Sequence, residues 1–340
     1  MLSRLLKKNA VKWIASITSS IWYRRGITSF LLVPLSYLFC GFAFFRRTAY
    51  RLGLLSICRP PVPLIVVGNI TTGGSGKTPL IIWLSGFLKT NGLKPGIICG
   101  GYGGGSKEWP LVVSATTRPG VVGDEAFLLF RKSGCPVVAG PDRKRTVKTL
   151  VEAFEVDVIL SDDGLQHYGL ARDVEVAVID GERRFGNGRL LPAGPLRENI
   201  KRLKEVDFVV TKGCPLKNEI EMSIEPKDLI NVSDPADSMP LDSFRTIKVN
   251  AVCGIGHNES FFRILDEKNI TYVPRPFPDH YQYSAEDLDF GDGLQVVMTE
   301  KDAVKCEEFA TGRYWSLPIE IFLGDNFGDQ ILRKIVRKSE

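Results

Sequence analysis

Cysteine and histidine are scarce in this sequence, and their placement excludes common kinds of site. The 340 residues contain seven cysteines, none of them in a Cys-x-x-Cys pair, and three histidines. An odd number of scattered cysteines indicates neither a disulfide framework nor a structural zinc site. A reducing cytoplasm is therefore the simplest setting for the chain.

Acidic residues are absent from the first sixty positions. The same segment contains many basic residues, among them Lys7, Lys8, Lys12, Arg24, Arg25, Arg46, Arg47, Arg51 and Arg59. This local imbalance indicates contact with an anionic surface. The net charge of the whole chain is only +5, and we expect no nucleic-acid partner.

Two apolar segments lie within this basic region. In residues 1–22 the apolar side chains recur at helical spacing opposite a basic face, which predicts an amphipathic helix suited to a lipid headgroup layer. Residues 27–45 are uncharged and would span roughly 28 Å as a helix, barely a bilayer core. Because Pro34 and Gly41 interrupt this run and both flanks are basic, we expect a membrane-docked hairpin or a shallow insertion. A pair of core helices is the alternative.

The remainder alternates short Val/Ile-rich runs with helical or glycine-rich segments. Strand-like runs occur at residues 64–67, 96–99, 137–139, 156–160, 174–179 and 208–211. This alternation predicts an α/β fold, a mostly parallel sheet with helices on both faces. Residues 231–245 are polar and interrupted by proline, as a linker or an edge excursion would be. Strands at 246–252, 295–298 and 319–323 suggest a smaller C-terminal α/β lobe. The expected divisions are 1–60 for the membrane-associated helical segment, 61–230 for the core and 231–340 for the lobe.

The stretch TTGGSGKT follows the first predicted strand and precedes a helix-like segment, as in a P-loop. Glycines let backbone N–H groups face phosphates, Lys77 would reach the β and γ oxygens, and Thr78 would ligate Mg²⁺. The usual first glycine of the pattern is replaced here by threonine. We predict a P-loop NTPase-like core whose nucleotide-binding residues are Thr71, Thr72, Gly73, Gly74, Ser75, Gly76, Lys77 and Thr78. A glycine-rich turn that binds nothing is the alternative.

Two acids end another predicted strand, in VDVILSDDGLQH. Asp162 and Asp163 lie where ligands of open α/β sheets bind, and we predict that they complete a magnesium site with Thr78. Gln166 and His167 follow directly. A solvated turn with a helix-capping aspartate would also explain the acids.

Other candidate residues stay ambiguous on local pattern alone. Asp124 and Glu125 precede an apolar helix-like run, where capping is a sufficient explanation. His280 lies in a proline-stiffened aromatic loop, and a hydrogen bond to the neighbouring aspartate is the common case for such a histidine. Arg143 and Arg197 are either anion contacts or surface charge.

Seven motifs, taken together and in order, resemble the tetraacyldisaccharide 4'-kinase family of lipid A biosynthesis. They are GNITTGGSGKTP, GDE, DDGLQH, LPAGPLRE, GIGHNESFF, PDHY and TEKDAVK. The resemblance spans nearly the whole chain and implies Mg²⁺-dependent transfer of the γ-phosphoryl group of ATP to the 4'-hydroxyl of an acylated glucosamine disaccharide 1-phosphate. It also implies docking to the cytoplasmic face of a Gram-negative inner membrane, either peripherally or through the N-terminal segment. The oligomeric state stays open.

The resemblance assigns roles to particular residues. It places the catalytic aspartate at Asp124 and the assisting histidine at His280, where the imidazole would orient and tune the base. Residues at supporting positions, in contact with phosphate or acceptor, are Glu125, Gln166, His167 and Arg197. The chain departs from the family at Gly100, where an arginine is common, and at Asn199, where a proline is usual.

Two other classes of function compete with a kinase. A membrane-associated P-loop ATPase switch of the partitioning type also has a GGxGKT loop, but it usually carries a lysine where this chain has Thr72. A non-enzymatic membrane scaffold would bind no nucleotide.

Overall fold

The computed structural model describes residues 21–23, 26–324 and 326–336. Most of the amphipathic helix predicted for residues 1–22 therefore lies outside the described residues. Within the described part the strands are β1 (Leu64–Gly68), β2 (Pro95–Cys99), β3 (Leu111–Val112), β4 (Val137–Ala139), β5 (Val158–Asp162), β6 (Val174–Asp180), β7 (Phe208–Lys212), β8 (Ile220–Pro226), β9 (Leu229–Asn231), β10 (Ser238–Met239), β11 (Val249–Cys253), β12 (Tyr272–Pro276), β13 (Gln295–Thr299), β14 (Tyr314–Leu317) and β15 (Ile319–Leu323). The α-helices are α1 (Ile27–Leu31), α2 (Val33–Arg51), α3 (Lys77–Thr90), α4 (Pro119–Val122), α5 (Asp124–Ser133), α6 (Arg143–Ala153), α7 (Asn258–Glu267), α8 (Glu300–Ala303) and α9 (Phe327–Val336).

The larger sheet has nine strands among the described residues, in the order β15-β8-β7-β6-β1-β5-β2-β4-β3. Only the two edge pairs, β15 with β8 and β3 with β4, are antiparallel, and the other pairs are parallel. Alternate residues of β1 enter two different apolar clusters, Ile65 and Val67 in one and Leu64 and Val66 in the other. The mostly parallel sheet with helices on both faces is therefore confirmed.

A second sheet of six strands, counted over the described residues, has the order β10-β9-β14-β13-β11-β12. Its own apolar core includes Phe244, Phe261 and Trp315. Of the two interpretations of residues 231–245, the edge excursion agrees with the structure, because β10 pairs with β9 at the edge of this sheet and Phe244 is buried in its core.

The run at 319–323 was assigned to the second lobe, and that assignment is wrong. These residues form β15, which pairs antiparallel with β8 at the edge of the larger sheet. The helix that follows, α9, buries Phe327 and Ile331 in the core of the same sheet. The chain therefore returns to the first unit over residues 319–336, and the range 231–340 does not describe that segment. The divisions after residues 60 and 230 stay a prediction.

Helices α1 and α2 each bury a serine and expose most of their large apolar side chains. Ser29 donates a hydrogen bond to the carbonyl of Ala193 at 2.7 Å, and Ser36 donates one to the carbonyl of Leu190 at 2.9 Å. The exposed large apolar side chains of these helices are Ile27, Phe30, Leu31, Leu35, Tyr37, Leu38, Phe42, Phe44 and Phe45. The alternative of core helices is thus wrong for α1 and α2. None of the helices in the described part of the chain has the length and apolar character required to cross a membrane.

Candidate active site

The phosphate loop joins β1 to α3 and contains two glycines with positive φ, Gly73 and Gly76. Gly76 has φ 95°, and a Cβ at that position would lie 2.7 Å from Cε of Met222. Only glycine adopts this conformation without strain. Asn69 donates hydrogen bonds from Nδ2 to the carbonyl of Gly73 and to Oγ of Ser75, each at 3.2 Å. The loop is thus braced ahead of Lys77 and Thr78, the first two residues of α3.

Of the two acids predicted to bind metal, Asp162 is the last residue of β5 and Asp163 follows it. Strand β5 pairs directly with β1. Nζ of Lys77 lies 3.4 Å from Oδ1 of Asp163, and Arg197 donates a hydrogen bond to Oδ2 of Asp163 at 2.8 Å. Burial raises the pKa of Asp163, but the charges of Lys77 and Arg197 outweigh it and lower that pKa to about 2. Asp163 is therefore ionised beside the phosphate loop.

Asp162 has the opposite electrostatic environment. Burial and the negative charge of Glu125 raise the pKa of Asp162 to about 7, and its Oδ1 accepts no hydrogen bond from any described residue. A buried carboxylate oxygen without a donor, in the residue directly before a second carboxylate, fits a hard divalent cation. The described residues contain no group of three or more His, Cys, Asp or Glu able to hold a metal.

Asp124 is held in place by the glycine before it. Gly123 has φ 93°, and a Cβ there would lie 2.1 Å from the carbonyl oxygen of Tyr102, so only glycine fits. Asp124 is the first residue of α5 and is 1% exposed. Its Oδ1 accepts the N–H of Glu125 at 2.9 Å and lies 2.7 Å from Nδ1 of His280. Capping alone does not describe this carboxylate, because it is bonded to a histidine from the second unit.

The aspartate and the histidine stabilise each other's charged forms. Burial raises the pKa of Asp124, but the hydrogen bond from His280 and the charges of Lys301 and Lys305 lower it to about 2. The same hydrogen bond raises the pKa of His280. Asp124 is therefore ionised over the whole neutral range.

The supporting residues lie around the same site. Gln166 donates from Nε2 to the carbonyl of Asn69 at 2.9 Å, which ties the DDGLQH segment to the phosphate loop. Burial and the charge of Arg143 lower the pKa of His167 to about 4, so this imidazole is neutral at pH 7. Glu125 forms an ion pair with Lys301 at 3.0 Å. The structure thus brings all these residues together, and their individual roles stay predictions.

Sequence reasoning did not resolve Arg143, and it missed Lys301 and Lys305 as site residues. Arg143 is 4% exposed and donates from Nη2 to the carbonyl of Asp162 at 2.6 Å, while its Nε and Nη1 are buried without a hydrogen-bond partner among the described residues. The surface-charge interpretation of Arg143 is therefore wrong. The DRKR run gave no signal that separates this residue from its neighbours, since the next one, Lys144, contacts Ser56 instead.

The site combines three features: a phosphate loop after a central parallel strand, carboxylates at the end of the adjacent strand, and a buried aspartate hydrogen-bonded to a histidine. Together they define a nucleotide-binding enzyme of the P-loop class. The sequence profile of the family described as Tetraacyldisaccharide-1-P 4'-kinase matches residues 28–336. The chain belongs to this family.

Individual relatives agree with the family assignment. The chain is 47% identical over 318 residues to the tetraacyldisaccharide 4'-kinase of Nitrosococcus oceani, covering 94% of each chain. It is 42% identical over 315 residues to that of Coxiella burnetii, covering 92% of this chain and 94% of the relative. Among solved structures, LpxK from Aquifex aeolicus in complex with ATP is similar, with a TM-score of 0.76, 29% identity, and coverage of 92% of this chain and 99% of that chain.

Proposed function

We propose that this protein transfers the γ-phosphoryl group of ATP to the 4'-hydroxyl of a tetraacyldisaccharide 1-phosphate, a precursor of lipid A. The observation that carries the proposal is the hydrogen bond between the buried Asp124 and the half-buried His280 in a family whose members bear the name of that reaction. A pure ATPase switch needs no general base for a sugar hydroxyl. Such a base is what an alcohol-accepting kinase uses.

The residues divide the work between holding the nucleotide and activating the acceptor. Backbone N–H groups of residues 71–78 and the ammonium of Lys77 bind the phosphates of ATP. Thr78, Asp162 and Asp163 would hold Mg²⁺, which when bound neutralises phosphate charge and aligns the γ-phosphoryl group. Asp124 takes the proton of the 4'-hydroxyl while the hydroxyl oxygen of the sugar attacks the γ-phosphorus. His280 orients the carboxylate of Asp124. Because the transition state is loose, positioning and charge neutralisation supply most of the acceleration.

The exposed apolar side chains of helices α1 and α2 support a peripheral membrane location for the protein. Their exposed apolar side chains recur throughout residues 27–45, and further exposed apolar side chains follow at Leu52, Leu54, Leu55 and Ile57. Large exposed apolar surface of this kind marks a membrane or protein contact. A lipid surface fits because the same segment is basic and the acceptor is a lipid. We assign the contact to the cytoplasmic face of the inner membrane of a Gram-negative bacterium.

The decisive experiment supplies the acceptor lipid directly. The full-length protein is incubated with the disaccharide 1-phosphate, ATP and Mg²⁺ in mixed micelles, and product mass and ADP are both measured. We expect one added phosphate on the non-reducing sugar for each ADP formed. Lys77→Ala is the matched control and should abolish both products. Consumption of ATP without lipid phosphorylation would instead support the partitioning-type switch, and absence of ATP binding would support a scaffold.

A further inference from the structure

Lys305 is a buried cation contributed by the second unit of the protein. It follows α8, and its side chain is fully buried. Its Nζ donates a hydrogen bond to Oδ1 of Asp302 at 2.8 Å, lies over the ring of Tyr283 at 4.9 Å, and stands 3.6 Å from Oδ2 of Asp124. An ammonium group is rarely buried without paired carboxylates, because desolvation is unfavourable. The location of Lys305 is thus set by two acids rather than by apolar packing.

Asp302 anchors Lys305 and is itself immobilised. Its Oδ2 accepts hydrogen bonds from the N–H of Gly254 at 2.9 Å and the hydroxyl of Thr299 at 2.7 Å. Its Oδ1 accepts one from the hydroxyl of Tyr283 at 3.0 Å. With these contacts in place, the ammonium of Lys305 is fixed in one position.

The two carboxylate oxygens of Asp124 have different partners. Oδ1 is occupied by the N–H of Glu125 and by His280, whereas Oδ2 is buried and accepts no hydrogen bond from the described residues. Lys305 is the cation at ion-pair distance from Oδ2. The neighbouring Lys301 instead pairs with Glu125 and Asp279, each at 3.0 Å. The charges of both lysines therefore favour the ionised form of Asp124, but among the described residues it is Lys305 that lies at ion-pair distance from Oδ2.

We infer that Lys305 is a positioning residue for phosphoryl transfer, holding Asp124 ionised and oriented with Oδ1 on His280 and Oδ2 available to the acceptor. The inference rests on the proposed function. In that reaction the acceptor oxygen forms a bond to the γ-phosphorus, the bond from that phosphorus to the bridging oxygen breaks, and ADP leaves with the electron pair. The hydroxyl proton passes to Oδ2 of Asp124. Lys305 takes no proton and contacts neither the acceptor nor the nucleotide; it acts through its ion pair with Asp124.

The charge of Lys305 acts among several others that face Asp124. The titratable and charged groups around this carboxylate are Glu125 on α5, Asp279 and His280 in the loop after β12, and Lys301, Asp302 and Lys305 in the segment after β13. Loss of the Lys305 charge leaves Asp302 unneutralised close to Asp124. Both changes favour the protonated form of Asp124, so its pKa rises toward neutral pH.

The test compares variants of Lys305 that separate charge from volume. Lys305→Gln keeps a hydrogen-bond donor for Asp302 but removes the charge, and Lys305→Arg keeps the charge. For the Gln variant we expect kcat to fall about tenfold or more, with KM for ATP unchanged and the acid limb of the kcat–pH profile moved to higher pH. The Arg variant should keep most of the activity and the wild-type acid limb. Lys334→Gln is the control and should match wild type. It removes a lysine of α9 that pairs with Asp207.

The outcomes separate this inference from the proposed function. All assays are run below the lowest thermal unfolding midpoint among the wild type and the variants, so that every protein is folded. Lys305→Met provides a second uncharged variant. An inactive wild type would overturn the proposed function, whatever the variants do. An active wild type with a Gln or Met variant of equal kcat and unmoved acid limb would overturn the role of Lys305. Equal loss in the Arg and Gln variants would do the same, because it would show that shape rather than charge matters.

Discussion

Gly123 controls the position of the catalytic carboxylate without touching any substrate. Its positive φ and its contact with the carbonyl of Tyr102 leave no space for a side chain. Asp124 is the next residue, so a shift of the backbone here moves the carboxylate directly. A displacement of about 1 Å at a reacting group is enough to lower a rate about a hundredfold.

The variant Gly123→Ala tests this dependence. We expect kcat to fall by about a hundredfold or more, while ATP binding is kept because the phosphate loop lies on another segment. Gly86→Ala is the control, since Gly86 is inside α3 and an added Cβ meets nothing within 4 Å. That change should leave kcat intact and raise stability by up to about 1 kcal/mol. Wild-type kcat in Gly123→Ala would contradict the steric argument.

His167 predicts a pH dependence of folding stability. Its folded pKa of about 4 lies below the ordinary value of 6.5, chiefly because of burial. Between these values the unfolded chain binds a proton that the folded protein does not, so stability is lost as the pH falls from 6.5 toward 4. At pH 5.5 the free energy of unfolding should be lower by about 1.4 kcal/mol than at neutral pH because of this one group.

His167→Gln removes this titration and should show a smaller loss. Denaturant unfolding of both proteins at pH 7.5 and pH 5.5 checks the difference between the two losses, which does not depend on any change that the variant makes at neutral pH. Equal losses in the two proteins would show that His167 does not resist protonation.

At the scale of single residues, the sequence revealed the site only where the chemistry is local. Residues 71–78 and Asp162 were predictable because a strand, a loop and a helix start together produce the signal. Arg143 and Lys305 were not, since their burial depends on packing between segments distant in sequence. The pair of Asp124 and His280 came from a family resemblance, and no local pattern would have joined them.

At the scale of elements, α2 carries the clearest prediction about the membrane. Its serine side faces residues 190–193, and ion pairs of Arg47 and Arg51 with Glu205 hold it to the body of the protein. Leu38 and Phe42 lie on the outer side, exposed by 72% and 70%. Each would contribute roughly 1.5–3 kcal/mol if fully withdrawn from water.

Replacing these two side chains with glutamate should weaken lipid binding without unfolding the protein. Co-sedimentation of Leu38→Glu/Phe42→Glu with vesicles of phosphatidylglycerol and phosphatidylethanolamine measures the effect, and we expect at least about a tenfold lower partition coefficient. Leu216→Glu, at a residue exposed on a separate loop, is the control and should bind like wild type. Unchanged partition of the double variant would remove α2 from the membrane contact.

At the scale of the whole molecule, the chain leaves the larger sheet after β8 and rejoins it at β15. The strand pattern of residues 319–323 was recognised correctly, but its sheet was not. Alternation of apolar residues identifies a strand and says nothing about which edge it joins. The contact that determines the edge is made by Phe327 of α9, whose ring lies 5.5 Å from that of Phe208 and 5.9 Å from that of Trp83.

Phe327→Ala tests whether the end of the chain stabilises the first unit. Loss of this buried ring should lower the free energy of unfolding by about 3–5 kcal/mol, measured by chemical denaturation. Phe322→Ala, on the same chain segment but 46% exposed, should cost far less. If the two variants were equally stable, β15 and α9 would not belong to the core of the larger sheet.

The seam between the two units passes through the aspartate–histidine pair. Asp124 belongs to the first unit, while His280 and Lys305 belong to the second. A small molecule that binds between the two units and separates Asp124 from His280 and Lys305 would therefore inhibit the enzyme, although it would resemble neither the nucleotide nor the lipid. Its inhibition would persist at saturating concentrations of both, and resistance to it would arise at residues lining the gap rather than in either substrate pocket.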